Sequence, residues 1–373
     1  MSEHIGPGKL SELSDIFKTR GIRSCFLVAD PVAYVSSGAS EVIKPLLDTL
    51  ETLTIFSDFS PNPDDLSVEK ALGCATRQSY DAVLAVGGGT AIDIAKLVSC
   101  SLTSGLAEII SIPEGIIRNN LLIAVPTTAG TGSEATHFAV LYVDGVKHSI
   151  AHNRLLPDIS IVDSNLLQSI PPSVAAHTGL DAFCQSIESL WSVQSTAASR
   201  EFALQGLKLS FTNLERFVDS PDPGSRDAMA RAAHFSGKAI NISKTTAPHA
   251  ISYTLTSKSG IPHGLAVAMT IGPCLAWNAD VTEEDCIDPR GVAHAQKSMA
   301  QILEVLSSSS PTQAVDRIDA LLVSIECHPR LSDNGIETAD LDAITATVNA
   351  ERLANNPRRL DSNDIRSLLQ SRL

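Results

Sequence analysis

The feature that most constrains the fold is a short apolar run that leads directly into three consecutive glycines. Residues 82–86 (AVLAV) have the continuous hydrophobicity of a buried parallel strand, and Gly87, Gly88 and Gly89 follow at once. A helical pattern then covers residues 91–101. Glycines allow backbone amides to approach a phosphate closely, and the helix N-terminus adds a partial positive charge. Because the glycines do not match the dinucleotide fingerprint GxGxxG, they fit a tight turn without a ligand equally well.

The same alternation of apolar runs and helical patterns continues through the first half of the chain. Strands are also predicted at residues 25–29, 53–56 and 121–125, and a helix at residues 63–79. Strands that alternate with helices indicate a parallel sheet covered by helices on both faces. The first half therefore has the pattern of an α/β domain.

The pattern changes in the second half. Apolar residues recur there at helical spacing over residues 175–190, 197–217 and 225–242, and strand signals are few. We therefore expect an α/β domain at residues 1–168 and an all-α domain at residues 169–373.

The composition excludes several classes of protein. The chain of 373 residues has a formal net charge of −14 and no basic stripe, so we do not expect it to bind nucleic acid. No run approaches the roughly 20 apolar residues of a membrane span, and residues 1–10 lack the apolar core of a signal peptide. The seven cysteines include no CxxC pair, which is typical of free thiols in a cytoplasmic protein.

A second polar loop follows the predicted strand at residues 121–125. Residues 127–134 (TTAGTGSE) are small and rich in hydroxyl groups, and Asp30 follows the strand at residues 25–29. Open α/β sheets bind ligands at the carboxyl ends of their strands, where these loops are expected to meet. Together with the glycine turn, the second loop favours a nucleotide site. Asp30 is then either an acceptor for a ribose hydroxyl or a solvent-exposed carboxylate.

Four polar residues of the second half form a candidate metal site. Asp181 and Gln185 are four residues apart on a helical pattern and share one face, while His249 and His263 each follow a proline. One carboxylate, two imidazoles and a neutral oxygen donor can hold a divalent metal. The chain contains neither an HExxH motif nor a four-cysteine pattern, so the spacing alone favours structural roles for the histidines.

Four segments of the chain are similar to those of one family, the iron-containing (group III) alcohol dehydrogenases. They are residues 87–96 (GGGTAIDIAK), 126–134 (PTTAGTGSE), 178–188 (TGLDAFCQSIE) and 249–264 (HAISYTLTSKSGIPHG), in the order of the family. The resemblance implies an α/β N-terminal dinucleotide-binding domain, an all-α C-terminal domain and an active site in the cleft between them. Dehydroquinate synthases share this layout.

The resemblance also implies roles for individual residues. It makes Asp181, His249 and His263 the ligands of a divalent metal, with Fe²⁺ expected and Zn²⁺ as the alternative. It places Asp30 near the adenosine ribose, which favours NADH over NADPH because a 2′-phosphate would face a carboxylate. A homodimer is a further expectation of the family. The implied cofactor contacts are Asn62, Gly88, Gly89, Thr90, Asp93, Thr127, Thr128, Thr131 and Lys147.

Two positions depart from the usual pattern of the family. Gln185 stands where members usually carry a histidine ligand, and Tyr253 stands where many carry a further histidine. An amide oxygen is a harder and weaker ligand than imidazole, so the metal affinity or the choice of metal is expected to differ. Gln185 is retained as the candidate fourth ligand.

These departures, together with residues 236–253 (SGKAINISKTTAPHAISY), resemble one subgroup, the phosphonoacetaldehyde reductases, which make 2-hydroxyethylphosphonate. Lys238 and Lys244 lie on the segment that leads into His249. A phosphonate is largely dianionic near neutral pH, and lysines can bind it as point charges. The alternative is that both lysines are merely solvated.

The expected activity is the reduction of a small aldehyde by NADH, with a divalent metal as Lewis acid. Asp181, His249, His263 and Tyr253 are the candidate catalytic residues, and Tyr253 or His234 is the candidate proton donor. Three alternatives remain: a short-chain aldehyde reductase without preference for a phosphonate, a lyase like the dehydroquinate synthases, and a non-catalytic nucleotide-binding protein.

Overall fold

The chain forms two compact units, Met1–Pro171 and Pro172–Leu373. The computed structural model describes residues 1–75, 79–111, 115–143, 146–348 and 350–373. The strands among the described residues lie in the first unit, and the second unit is built of helices. None of the described helices is both long enough and apolar enough to cross a membrane.

The first unit is organised around a parallel sheet. Its strands are β1 (Ser2–Ile5), β2 (Ser24–Ala29), β3 (Thr52–Phe56), β4 (Ala82–Gly87), β5 (Leu121–Pro126), β6 (Phe138–Val143), β7 (Val146–Ala151) and β8 (Ile159–Val162). Six of them pair in the order β1-β8-β5-β4-β2-β3, all parallel, and β6 and β7 form an antiparallel hairpin. Strands β2 and β4 are buried along their whole length, which explains their continuous apolar sequences.

Helices supply the apolar surfaces on both faces of this sheet. They are α1 (Leu13–Arg20), α2 (Ala33–Ser36), α3 (Ala39–Leu47), α4 (Asp65–Gly73), α5 (Gly89–Ser104) and α6 (Leu106–Ser111). Side chains of a strand point alternately to opposite faces. Accordingly, Phe26 and Val28 of β2 belong to the core that includes α5, whereas Leu27 belongs to the core that includes α1 and α3. The predicted fold class of the first half is confirmed.

The structure corrects several details of the sequence-based prediction. The helix expected at residues 63–79 is α4, which ends at Gly73, and residues 76–78 lie outside the described part of the chain. Strands β1 and β8 and the hairpin were not predicted. Strands β1 and β8 have only four residues each, and β1 is a half-exposed edge strand without an apolar run. Such short strands give too little periodicity to be recognised.

The second unit begins with three long helices. Its helices are α7 (Pro172–Trp191), α8 (Ala197–Asp219), α9 (Pro223–Ser243), α10 (Ala247–Ser259), α11 (His263–Ala279), α12 (Val292–Val305), α13 (Pro311–Ser324), α14 (Leu341–Thr345), α15 (Ala350–Leu353) and α16 (Ser362–Gln370). Thr196 and Asp222 cap α8 and α9 through reciprocal hydrogen bonds with a serine three residues on. Helix α7 is buried continuously from Gly179 to Trp191, so it is the central helix of this unit.

Candidate active site

The glycine turn of the first unit lies where β4 ends and α5 begins. A Cβ atom on Gly87 would lie 2.7 Å from the Cβ of Ala91 and 2.9 Å from the Cβ of Asp30. No side chain fits there, so glycine is required by the close approach of β4, α5 and the end of β2. Gly88 is the N-cap of α5 and carries no side chain that would cover the backbone amides of the first turn.

The second polar loop packs directly against this turn. The backbone nitrogen of Thr127 donates a hydrogen bond to the carbonyl oxygen of Gly87 at 3.0 Å. A Cβ on Gly88 would lie 3.3 Å from Thr128, and one on Gly89 would lie 2.9 Å from Thr131. The loops that follow β4 and β5 therefore form one surface at the carboxyl edge of the sheet.

One buried group on this surface indicates a ligand. The hydroxyl oxygen of Thr127 is buried and has no hydrogen-bond partner among the residues that the structure describes. A buried polar group without a partner costs free energy, so such groups usually have a partner that is a ligand, an ion or water. A phosphate or ribose oxygen at the glycine turn would satisfy this hydroxyl. The residues present therefore fit a dinucleotide.

Asp30 lies at the end of β2, beside the glycine turn. Its carboxylate oxygen Oδ1 accepts hydrogen bonds from the backbone nitrogens of Val32 at 3.0 Å and Ala33 at 2.8 Å. Its backbone nitrogen donates to the carbonyl oxygen of Val86 on β4 at 2.9 Å. Strands β2 and β4 flank the point where the strand order reverses, which is where open α/β sheets bind nucleotides.

Asp93 and Lys96 of α5 form a buried network that holds the second loop. The Asp93 carboxylate accepts hydrogen bonds from the Ser133 hydroxyl at 2.5 Å and from the backbone nitrogen of Val140 at 3.0 Å. The fully buried ammonium of Lys96 donates to Ser133 at 2.9 Å and to Thr136 at 3.0 Å. Burial lowers the pKa of Lys96 to about 8, although the nearby carboxylates oppose the change. Both carboxylate oxygens of Asp93 thus bind groups of the protein.

The remaining predicted cofactor residues lie around this network. Lys147 of β7 is close enough for its charge to lower the pKa of Asp93, which burial raises. Thr90 is half-buried in the first turn of α5. Asn62 is exposed between β3 and α4 and has a positive φ of 66°. The next residue, Pro63, accepts a hydrogen bond from the backbone nitrogen of Tyr142, the strand partner of Lys147.

Replacing Lys96 with methionine is expected to lower the free energy of unfolding by about 3 kcal/mol, because removing one partner leaves Asp93 charged and buried. Urea denaturation, followed by circular dichroism, measures the change. The control is Lys70→Met, since Lys70 forms only an exposed ion pair with Asp58 at 3.3 Å and such pairs contribute less than about 1 kcal/mol. Equal stabilities of the two variants would contradict the structural role of Lys96.

The second unit brings together three of the four predicted metal ligands by contact of three helices. Asp181 lies on α7, His249 in the first turn of α10, and His263 at the first position of α11. One ligand atom from each residue lies within 4.8 Å of the others. Nε2 of His249 is 3.2 Å from Oδ1 of Asp181, and the two imidazole rings are 5.3 Å apart. Two histidines and one carboxylate are the donor set of many Fe²⁺ sites, so these residues fit such a metal.

Charge and burial compete at this cluster. Burial by itself raises the pKa of the Asp181 carboxyl, but hydrogen bonds from His249 and Gln185 and the charge of His263 lower it further than burial raises it. Burial by itself lowers the pKa of His249, but the carboxylates of Glu188 and Asp181 raise it to about 9. The two carboxylates therefore stabilise positive charge at the His249 ring.

Gly264 makes the approach of α11 to α7 possible. A Cβ on this residue would lie 1.8 Å from the carbonyl oxygen of His177 and 3.0 Å from the backbone nitrogen of Asp181. The backbones of the two helices therefore touch at this glycine. Since His263 precedes Gly264, this contact sets the position of one predicted ligand relative to another.

Glu188 orients His249 and was not assigned a role from the sequence. Its side chain is completely buried, and Oε2 forms a short hydrogen bond with Nδ1 of His249. Oε1 accepts hydrogen bonds from the backbone nitrogen and hydroxyl of Thr246 at 2.8 and 2.9 Å. A carboxylate behind a metal-binding histidine fixes its tautomer and ring orientation. Its spacing could have indicated this role, because Glu188 follows Asp181 by seven residues and so lies on the same helical face.

Gln185 is buried one turn after Asp181. Its amide donates a hydrogen bond to Asp181, and its oxygen lies 2.9 Å from the Ser236 hydroxyl of α9. Ser236 is also 2.9 Å from the carbonyl oxygen of Ala233. In this orientation Gln185 holds the Asp181 carboxylate by a hydrogen bond. A rotation of the amide by half a turn would present its oxygen instead, and Ser236 could then accept from the nitrogen while donating to Ala233.

Tyr253, the remaining candidate catalytic residue, lies beside the cluster. Its ring stacks on the ring of His263, with centroids 6.3 Å apart and planes inclined by 20°. Burial raises the pKa of the Tyr253 phenol, and the charge of Arg352 opposes this rise. The phenol is therefore protonated at neutral pH. His234, the other candidate proton donor, is completely buried within α9.

The two predicted substrate lysines contact other groups. The Lys238 ammonium lies 4.4 Å from the centroid of the Phe202 ring. Lys244 is exposed and forms an ion pair with Glu351 at 3.1 Å. Lys238 follows Ser236 by two residues, which corresponds to a rotation of about 200° around a helix. The Cβ atoms of Ser236 and Lys238 therefore lie on opposite sides of α9.

The sequence also gave no indication of Arg352, which lies on α15. Its guanidinium is 5.7 Å from the centroid of the Tyr253 ring and forms a short hydrogen bond with the hydroxyl of Thr245. Arg352 is far from both residues in the sequence and belongs to a helix of four residues, Ala350–Leu353, so no local pattern connects them.

Both units are similar to known proteins. Residues 3–164 match the family described as iron-containing alcohol dehydrogenase, and residues 175–373 match the C-terminal part of the Fe-containing alcohol dehydrogenase family. A phosphonoacetaldehyde reductase of Streptomyces viridochromogenes is 31% identical over 340 residues, covering 87% of this chain and 84% of that protein. A 1-propanol dehydrogenase of Salmonella typhimurium is 30% identical over 354 residues, covering 88% and 90% respectively.

A solved structure extends the similarity to the complete chain. The sulfoacetaldehyde reductase from Bifidobacterium kashiwanohense, determined in complex with NAD⁺, has a TM-score of 0.89 and 28% sequence identity. The match covers 100% of this chain and 96% of that one.

Proposed function

Because this chain belongs to the iron-containing alcohol dehydrogenase family, we propose that it reduces phosphonoacetaldehyde to 2-hydroxyethylphosphonate with NADH. Membership makes the chain an NAD(H)-linked oxidoreductase of small aldehydes and alcohols. The finer choice of substrate is supported by two relatives, whose names refer to phosphonoacetaldehyde and sulfoacetaldehyde. Both compounds are two-carbon aldehydes that carry a tetrahedral anionic group.

The observation that carries the proposal is the buried cluster of Asp181, His249 and His263. These residues would hold a divalent metal, with Fe²⁺ as the first choice and Zn²⁺ as the alternative, and Gln185 would add an amide oxygen after rotation of its side chain. When bound, the metal supplies a Lewis acid for the carbonyl group and the nicotinamide supplies the hydride. Glu188 holds the His249 ring in the orientation that directs Nε2 toward Asp181.

The first unit would bind the cofactor at the carboxyl edge of its sheet. Gly88 and Gly89 leave room for the pyrophosphate, and Thr127 offers a buried hydroxyl that lacks a partner among the described residues. Thr90, Thr128, Thr131, Lys147 and Asn62 are proposed as further contacts. Asp30 favours NADH over NADPH, because a 2′-phosphate would be repelled by its carboxylate.

Tyr253 is the proposed proton donor for the alcohol product. Its phenol is protonated at neutral pH, and its ring lies against His263. A donor must be within hydrogen-bond reach of the oxygen it protonates, directly or through one water. Tyr253 contacts His263, which supports its choice as the donor. His234 lies on α9, which carries none of the three clustered ligands.

The test is the oxidation of NADH by the iron-loaded protein with phosphonoacetaldehyde and with propionaldehyde. We expect kcat/KM to be about tenfold to a hundredfold higher for phosphonoacetaldehyde, since hydrogen bonds to a charged group contribute about 1.5–3 kcal/mol. Equal or reversed preference would instead support a general short-chain aldehyde reductase, which similarity to the 1-propanol dehydrogenase also favours. Cofactor binding without turnover of either aldehyde would contradict the enzymatic proposal.

A chelation control accompanies this assay. Removal of the metal, verified by metal analysis, is expected to abolish turnover, and addition of Fe²⁺ is expected to restore it. Activity that persists without metal would contradict the Lewis-acid role.

A further inference from the structure

An arginine and a predicted metal ligand contact the same aromatic ring. The guanidinium of Arg352 is 5.7 Å from the centroid of the Tyr253 ring, and the same ring stacks on His263 at 6.3 Å. The distance from Arg352 to the His263 ring therefore cannot exceed these two distances together. All three residues belong to the second unit.

Hydrogen bonds hold the segment around Arg352 in place. Arg352 itself bonds to the hydroxyl of Thr245, which is 4% exposed. The side-chain nitrogen of Asn355 donates to the carbonyl oxygens of Ser243 at 2.8 Å and Thr245 at 3.0 Å. The segment that carries Arg352 is thereby tied to the residues that lead into α10. A guanidinium fixed in this way loses little conformational entropy when it binds a ligand.

We propose that Arg352 binds the anionic group of the substrate and makes the enzyme selective for small aldehydes that carry a tetrahedral oxyanion. This assignment rests on the proposed reduction of an aldehyde at the Asp181–His249–His263 cluster. In a two-carbon aldehyde, the oxygens of a phosphonate lie on the order of 5 Å from the carbonyl oxygen, given bond lengths of about 1.5 Å. The group is thus close to the cluster when the carbonyl oxygen is directed at it. Arginine matches such an anion because its planar donors bind two oxygens at once.

The other cations considered from the sequence fit this role less well. The ammonium of Lys238 lies over the Phe202 ring. Lys244 is exposed and is paired with Glu351. Arg352, by contrast, contacts a residue that stacks on a predicted metal ligand. Recognition of the anion is therefore assigned to Arg352 and not to Lys238 or Lys244.

The test compares Arg352→Gln with the wild-type holoenzyme on phosphonoacetaldehyde, sulfoacetaldehyde and propionaldehyde. We expect kcat/KM to fall about tenfold to a hundredfold more for the two anionic aldehydes than for propionaldehyde. Arg352→Lys is expected to recover part of the loss, since it restores the charge but not the paired donors. The ratio of the kcat/KM values of the wild type for the two anionic aldehydes shows whether a phosphonate or a sulfonate is the preferred group. Lys238→Met and Lys244→Met are the controls and should keep the wild-type preference.

An equal loss on all three aldehydes would mean that Arg352 has only a structural role and would overturn the proposal. If Arg352→Gln does not fold, Arg352→Lys decides the question by the same comparison.

A binding measurement separates this proposal from the proposed reaction. Calorimetric titration with ethylphosphonate, an unreactive analogue, needs no turnover of an aldehyde. Binding to the wild-type holoenzyme that is weakened at least about tenfold by Arg352→Gln supports the anion site, even if phosphonoacetaldehyde proves a poor substrate. Equal binding to both proteins, or no binding to the wild type, would overturn it.

Discussion

Replacing Gly264 with alanine is expected to abolish metal binding and to lower kcat/KM for the aldehyde by at least about 1000-fold. The added Cβ would lie 1.8 Å from the carbonyl oxygen of His177. This oxygen belongs to the backbone of α7, so no side chain can rotate away and α11 has to shift. The shift separates His263 from Asp181. The expected loss follows because a Lewis acid contributes several kcal/mol and each 1.36 kcal/mol is a tenfold change in rate.

The matched control lies on the same helix. The three atoms nearest to a Cβ on Gly272 all belong to the side chain of Val315, the first at 3.3 Å, and Val315 can adjust. Gly272→Ala is therefore expected to keep its metal and to retain activity within about threefold. Metal content is measured by atomic emission after gel filtration. A Gly264→Ala protein with a full complement of metal would show that the helix contact does not set the ligand positions.

Replacing Glu188 with glutamine is expected to weaken metal binding by about a hundredfold or more. Oε1 of Glu188 accepts from two groups of Thr246, and the substituted amide has to keep its oxygen there. Its nitrogen then faces Nδ1 of His249 and donates to it. The ring proton moves to Nε2, the atom that faces Asp181, where it blocks coordination. The same wrong tautomer explains why replacing the aspartate of a serine protease triad with asparagine is so damaging.

Competition with a fluorescent chelator at fixed pH measures the metal affinity of the Glu188→Gln protein. The control is Thr246→Val, which removes one hydrogen bond to Glu188 at 2.9 Å but keeps the carboxylate and its bond to His249. We expect this control to lose less than about tenfold in affinity. An affinity of Glu188→Gln within threefold of the wild type would exclude the tautomer explanation.

The sequence allowed the central part of the fold to be predicted because its strands are buried on both faces. Strands β2 and β4 contain uninterrupted apolar residues, and each is followed by a turn residue or a glycine. The edge strand β1 and the hairpin of β6 and β7 contain polar or partly exposed positions, so hydrophobicity alone could not identify them. A strand that is buried on both faces can therefore be predicted from the sequence.

The candidate site was predictable only in part, and for a similar reason. Asp181, His249 and His263 were grouped by their residue types, but only the resemblance to a family made them metal ligands, because local spacing could not connect them. Lys238 and Lys244 were chosen because they precede His249 in the chain, but their side chains contact Phe202 and Glu351. Arg352 reaches Tyr253 through the tertiary fold alone. Nearness along a helix says little about which face a side chain occupies.

The pair of Gln185 and Ser236 gives the site a reversible dipole. Ser236 lies at the same distance, 2.9 Å, from the Gln185 oxygen and from the carbonyl oxygen of Ala233. A hydroxyl both donates and accepts, so each of the two amide orientations leaves Ser236 with a partner. One orientation directs positive partial charge at Asp181 and the other directs negative partial charge at the same place. Rotation of the amide alone therefore reverses the partial charge that faces Asp181, without displacing a helix.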